Sequence, residues 1–242
     1  MKILIVDGTN TAIQRLDQEL SHAGHVVSHR GSLKDAADFD LTVAGLAESN
    51  QDVVGDLISR VGELDFSVPR NSPFVIQFRD GHYVMTIPNC RGLLGAISRH
   101  LVEVCGAYLP ASSRDHFNTA VCEALQNALI HGNLEISSEL RDQGDWDTYE
   151  ALIGARLMEP DYAQRSIRVD THCDTQRLTI QIEDDGPGFD PSNLPDPLEP
   201  EALLRASGRG ITMIRFAMDE VSWNARGNRI EMTKYYDAAL AV

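Results

Sequence analysis

Three residues spaced four apart, Glu123, Asn127 and His131, are the first in this chain whose types and intervals suit chemistry. That interval puts all three on one side of a helix. The stretch Asp115–Ile130 has helical spacing, with Val121, Leu125, Ala128 and Leu129 as packing surface. A carboxylate, an amide and an imidazole in one row can position a nucleophile, ligate a hard cation and hold a polar ligand. An ordinary solvated helix face carries a polar stripe too. Here, however, Gly132 follows where the stripe ends and is expected to break the helix.

Two further clusters follow. An alternating run, Leu178–Ile182, leads into Glu183-Asp184-Asp185-Gly186-Pro187-Gly188. A carboxylate fixed at the end of a buried strand can accept a hydrogen bond from an amino group, and the paired glycines allow close approach to a ligand. A plain Gly-Pro loop between strands would read the same way. Next, Arg205-Ala206-Ser207-Gly208-Arg209-Gly210 precedes a helical pattern in Ile211, Ile214 and Met218. Glycines at a helix start leave amides unpaired, and the helix dipole adds partial positive charge, which suits phosphate oxygens. Arg205 and Arg209 beside them make a better anion pocket, although either also suits an exposed surface.

The elements that must position these clusters read as a mixed α/β chain. Lys2–Val6, Val26–Ser28 and Leu41–Ala44 are expected strands around a helix over Thr9–His22, which Asn10 is placed to cap and Gly24 to end. This βαβ-like start suggests a small parallel sheet. Gln51–Leu64 reads as an amphipathic helix, residues 65–73 as a linker punctuated by Pro69 and Pro73, and Phe74–Phe78 with Tyr83–Ile87 as a hairpin around Asp80-Gly81. A helix is expected over Asn89–Cys105, and the motif helix begins near Arg114. Between the first two clusters lies a charged, helical insert, Glu135–Ala163, with Trp146 and Tyr149. It reads as an extra solvated helix pair or as a partner-docking surface.

Composition narrows the function class. The 242 residues are 43% hydrophobic and 24% charged, as in ordinary globular chains, with a net charge of −15. Only three lysines occur, Lys2, Lys34 and Lys234, so a nucleic-acid backbone is not an expected direct partner. No apolar run approaches membrane-spanning length, and Asp7 interrupts the first apolar run, so no export signal is read and a cytoplasmic location is expected. Cys90, Cys105, Cys122 and Cys173 show no metal-binding spacing and are expected as reduced thiols, several of them buried.

Taken together, the three clusters resemble the N-box and the first and second glycine boxes of GHKL ATPases, in the family's order, over roughly residues 68–237. The resemblance is closest to the serine kinases that act as bacterial anti-sigma factors, whose N-box likewise reads Glu-Ala-x-x-Asn-Ala-x-x-His-Gly. In their second box Arg-Ser-Gly-x-Gly is frequent; here Ala206-Ser207 separates Arg205 from Gly208, a shift of one residue. The resemblance implies a Bergerat-type sandwich, a mostly antiparallel sheet with helices on one face. It implies ATP and Mg²⁺ as cofactors, with Asn127 on the metal and Glu123 activating the attacking hydroxyl or water. Asp184 would hold the adenine amino group, Gly186 and Gly188 would shape the pocket, and Arg205, Gly208, Arg209 and Gly210 would meet phosphates. His131 closes the N-box and would also help to bind the cofactor. Pro191–Leu204 would form a lid over the nucleotide.

The segment 1–65 is expected as a separate α/β unit. Its Ile3-Leu4-Ile5-Val6-Asp7 resembles the first strand of response-regulator receiver domains in degenerate form: Gly8 replaces the second acidic residue, and Gly45 stands where a phosphoacceptor would. Three functions remain open. The leading one is a regulatory serine/threonine kinase that binds a sigma factor or a small anti-sigma-factor antagonist and phosphorylates the antagonist. The second is an ATP-gated protein-binding module without phosphoryl transfer. The third is a histidine kinase dependent on a separate partner. Homodimerisation is common in the resembled family.

Overall fold

Apolar and polar residues alternate strictly in two neighbouring strands, β6 (Ser166–Cys173) and β7 (Arg177–Asp184). Ile167, Val169, Leu178, Ile180 and Ile182 point to one face and are almost fully buried, while Arg168, Asp170, Thr179 and Gln181 alternate with them. The same pattern organises the rest of the sheet. The structure, a computed structural model, describes residues 1–6, 8–29, 32–46, 51–62, 74–79, 82–105, 109–194 and 209–236.

Among the described residues one sheet contains nine strands. Besides β6 and β7 these are β1 (Lys2–Val6), β2 (Val26–Ser28), β3 (Leu41–Ala44), β4 (Phe74–Arg79), β5 (His82–Pro88), β8 (Glu220–Trp223) and β9 (Arg229–Tyr235). Their order is β2-β1-β3-β4-β5-β6-β7-β9-β8. Pairings from β2 to β4 are parallel and those from β4 to β8 antiparallel. The helices α1 (Asn10–His22), α2 (Gln51–Gly62), α3 (Arg91–Cys105) and α4 (Ala111–Asn127) pack with the inward residues of the sheet. One continuous core joins Leu16, Leu57, Ile97, Phe117 and Leu125 to Ile3, Leu41, Ile76, Met85 and Ile180. This is the expected mixed α/β, Bergerat-type architecture. Phe39 and the buried Leu4, Val6 and Ala44 form a small second cluster. The sheet passes without a break from the N-terminal strands to the rest, because β3 pairs with β4, Leu41 opposite Phe74 and Ala44 opposite Gln77. Gly45 packs so tightly on β4 that a Cβ there would lie 2.5 Å from the Phe78 carbonyl oxygen.

Several boundaries differ from the sequence expectation. The helix α4 begins at Ala111, directly after Pro110, rather than near Arg114, since a proline start needs no amide donor. Nor does Gly132 break it: Ala128–Asn133 continues as a π-helical turn, with Leu134 N–H donating to Leu129 O. The helix α3 starts at Arg91 instead of Asn89, whose side chain is engaged elsewhere. Thr9, not Asn10, is the N-cap of α1 and makes no side-chain cap bond; Gly24, with φ +81°, follows its end as expected. β7 runs two residues past Ile182 and ends on Asp184. The linker 65–73, the Asp80-Gly81 turn, Asp7 and residues 195–208 of the lid and second glycine box lie outside the described residues.

Candidate functional site

A cavity of about 480 Å³ opens beside α4, its π turn, the end of β7 and the helix α8 (Arg209–Ala217). That size suits a small-molecule ligand. Glu123, Asn127 and His131 all line it, so the polar stripe faces the cavity rather than solvent. α8 crosses α4 at the level of the first two. A Cβ on Gly210 would lie 2.5 Å from Glu123 Oε2 and 3.7 Å from Asn127 Nδ2, so the start of α8 lies directly against these two side chains, and a larger residue there would displace the Glu123 carboxylate.

At the other end sits Asp184, last residue of β7 and 9% exposed. Its carboxylate accepts from the Gly186 N–H at 2.9 Å. The backbone of Asp184 is clamped by Asn228, whose side chain donates to Asp184 O at 2.7 Å and whose carbonyl accepts from Asp184 N–H at 2.9 Å. Burial pushes the Asp184 carboxyl up to about 6; the Gly186 N–H opposes the rise, and the Asp185 charge adds to it. Gly132 of the π turn makes this seat possible, since a Cβ there would lie 2.5 Å from Asp184 Oδ1. Ile130, Ile182 and Ile230 supply apolar wall nearby. Gly188 takes φ +79° in the loop that follows, where Arg226 donates to Gly186 O at 2.8 Å.

The π turn is anchored by Asn133, which is fully buried. Its amide donates to Asn89 Oδ1 at 2.7 Å and to Ser166 O at 2.9 Å, and its Oδ1 accepts from Asp185 N–H at 2.8 Å. Asn89 donates in turn to Tyr162 O. One side chain thus ties β5, β6 and β7 to the motif helix. His131 lies within 2.6 Å of Ile136 O through Nδ1. A carbonyl only accepts, so Nδ1 carries the proton. Burial lowers the His131 pKa, and the Arg141 charge lowers it further. The ring is neutral at pH 7, with Nε2 an acceptor.

The arginines are distributed differently from the sequence reading. Arg209 is exposed at the first residue of α8 and is not among the cavity's lining residues. Arg215, six residues along, lines it instead and lies 5.6 Å over the Trp223 ring. Arg205 and Gly208 lie outside the described residues. The insert contributes to the site as well. It contains α5 (Glu139–Asp142), α6 (Trp146–Met158) and α7 (Pro160–Ala163), and Ser138, Arg141 and Tyr149 line the cavity. Tyr149 and Ile153 bury against the core while Trp146 stays 56% exposed. Arg141, Arg215, Asn133 and Asn228 were missed by motif reasoning. The one available signal was the Asn133 that follows His131-Gly132.

Among the described residues no group of three or more His, Cys, Asp or Glu side chains is arranged to hold a metal ion. Asn127 still offers a hard oxygen donor at one end of the cavity, with the Glu123 carboxylate beside it. That donor set fits magnesium, which takes one or two protein ligands and completes its octahedron with phosphate and water. No described helix is long and apolar enough to cross a membrane.

No curated protein is significantly similar to the chain. The family model of the histidine kinase-like ATPase domain matches residues 91–234, which run from the start of α3 to β9 and include the motif helix, the end of β7 and α8. Over half the length of the chain is covered, by a match that coincides with the cavity and its walls, and the chain therefore belongs to the histidine kinase-like ATPase domain family.

Proposed function

We propose that the chain is an ATP-dependent regulatory protein kinase of the anti-sigma-factor type, which phosphorylates a serine or threonine of a small antagonist protein. The observation that carries this reading is the two-ended cavity, with Glu123 and Asn127 facing Gly210 at one end and the buried Asp184 at the other. Asp184 accepts the adenine amino group, and Ile130, Ile182 and Ile230 exclude water from the base. Phosphates extend toward α4 and α8, where Asn127 and Glu123 present their oxygens. Asn127 would hold a magnesium ion there, which would supply charge neutralisation for the transfer. Glu123 orients the incoming hydroxyl and accepts its proton. Arg215 adds positive charge in a chain whose net charge is −15.

Labelled ATP incubated with the protein and candidate antagonists tests the proposal. Transfer to an acid-stable phosphohydroxyl that vanishes in Glu123→Ala, with ATP still bound, is expected. An acid-labile product would identify a histidine kinase. Partner binding that needs ATP but survives Glu123→Ala without any transfer would identify an ATP-gated module.

A further inference from the structure

Three buried asparagines, Asn89, Asn133 and Asn228, surround the strand end that carries Asp184. A buried amide costs stability unless its polar atoms are paired, and all three are hydrogen-bonded. Their bonds converge on the backbone of residues 184 and 185. Asn228 holds Asp184 from the β9 side, donating to its carbonyl and accepting from its N–H. Asn133 holds Asp185 from the β6 side. Its Oδ1 accepts from the Asp185 N–H at 2.8 Å, while its Nδ2 donates to Ser166 O at 2.9 Å. A backbone N–H only donates and a carbonyl only accepts, so the Asn133 amide fits in one orientation. It is itself fixed by Asn89, and Arg165 donates to its carbonyl at 2.7 Å.

We infer that Asn133 is a positioning residue that sets base selectivity, by holding the Asp184 carboxylate where an adenine amino group meets it. The inference rests on the ATP reading of the cavity. Asn133 does not line that cavity, so it acts through Asp184 and not on the ligand. It does so by two routes. The bond to Asp185 N–H fixes the peptide that directly follows Asp184, and with it the direction of the Asp184 side chain. The other route runs through the preceding residue, Gly132, where a Cβ would lie 2.5 Å from each Asp184 carboxylate oxygen. Where Asn133 holds the turn, Gly132 presents bare backbone to the carboxylate.

Packing alone does not call for an amide here. Leu134 and Ile136, beside it in the chain, are buried and already seat the turn in the core. The amide adds direction, because hydrogen bonds weaken steeply away from their preferred angles. Without it, the β6 side would be braced only by Ser166, which donates from N–H and hydroxyl to the Asp185 side chain at 2.8 and 3.0 Å. That contact leaves the backbone of residue 185 free to turn. The Asp184 carboxylate then swings toward water, and the burial that raises its pKa is relieved.

Calorimetric titrations of the full-length protein compare ATP with purine riboside triphosphate, which differs only in lacking the amino group. The wild type is expected to bind ATP roughly ten- to hundredfold more tightly, as for a hydrogen bond to a charged acceptor. Asn133→Ala should cut that preference to about threefold or less. It should also move the pH at which ATP affinity declines from about 6 toward the ordinary carboxylate range. Asn89→Ala is the control. It removes two hydrogen bonds from the same network but spares the one to Asp185, so stability falls while the preference stays. Asn133→Ser, with one hydroxyl in place of the amide, gives the same readouts if Asn133→Ala does not fold. A folded Asn133 variant that keeps the full preference and the midpoint near 6 overturns the inference. So does an equal loss of preference in Asn89→Ala. A wild type that binds both nucleotides equally overturns the adenine role of Asp184 itself, and the inference with it.

Discussion

Asp184, the proposed adenine acceptor, shows in one residue how burying a carboxylate costs stability. Burial pushes its carboxyl up to about 6 in the fold, from 3.8 for a solvated aspartate. Between those values the folded state holds a proton that the unfolded chain has released. This residue's contribution to stability therefore falls as pH rises from about 3.8 to about 6, and its cost is fully present above 6. Asp184→Asn removes that slope and is expected to be more stable than wild type at pH 8 by roughly 1–3 kcal/mol. The same variant should bind ATP roughly tenfold to a hundredfold more weakly, since a charged acceptor is lost. Wild-type affinity should itself decline as pH drops below about 6 and the carboxylate is protonated. Urea denaturation at pH 5 and pH 8, with calorimetric ATP titrations at each, checks all three. A variant less stable at pH 8 would mean that the Gly186 hydrogen bond outweighs desolvation.

Among the elements, the motif helix and the insert differ most in how far the sequence could be read. Intervals of four at Glu123, Asn127 and His131 were legible because helical geometry alone puts them on one face. The π turn that carries His131 and Gly132 was not, because it depends on Asn133 reaching Asn89 and Ser166, both distant in sequence. The strand end at Asp184 was legible only to within two residues, its last pairs being fixed by Asn228. The insert's composition allowed a solvated helix pair or a docking surface; tertiary packing turns Ser138, Arg141 and Tyr149 toward the cavity, which no local pattern encodes. Arg141 gives this arrangement a measurable consequence, because its charge helps keep His131 neutral. In Arg141→Ala the His131 pKa, followed by NMR, should rise while staying below 6.5, because burial remains the larger cause. ATP affinity should fall about three- to tenfold, as for a partly screened charge. An unchanged His131 titration would show that Arg141 does not sense the site.

At the scale of the whole molecule, the strands of the first 65 residues were legible one by one, yet their partner was not. Nothing local states that β3 lies beside β4, since parallel pairing leaves no turn signature and the connection crosses the stretch around residues 65–73. That pairing covers one edge of β4, whose Phe74 and Ile76 are fully buried, and the N-terminal helices share the core beneath the ATPase motifs. Removing residues 1–65 would leave β4 as an unpaired apolar edge beside an opened core, an arrangement that promotes aggregation. The fragment 68–242 is therefore expected to be insoluble or largely unfolded, although it contains every motif of the nucleotide site. In the intact chain the shared core should make unfolding a single transition. Both tryptophans, Trp146 and Trp223, lie in the C-terminal part, whereas circular dichroism reports on all helices and strands. Coincident urea curves from fluorescence and circular dichroism are thus expected. Separate curves, together with a soluble fragment that binds ATP, would show instead that the N-terminal strands add to an ATPase domain already stable without them.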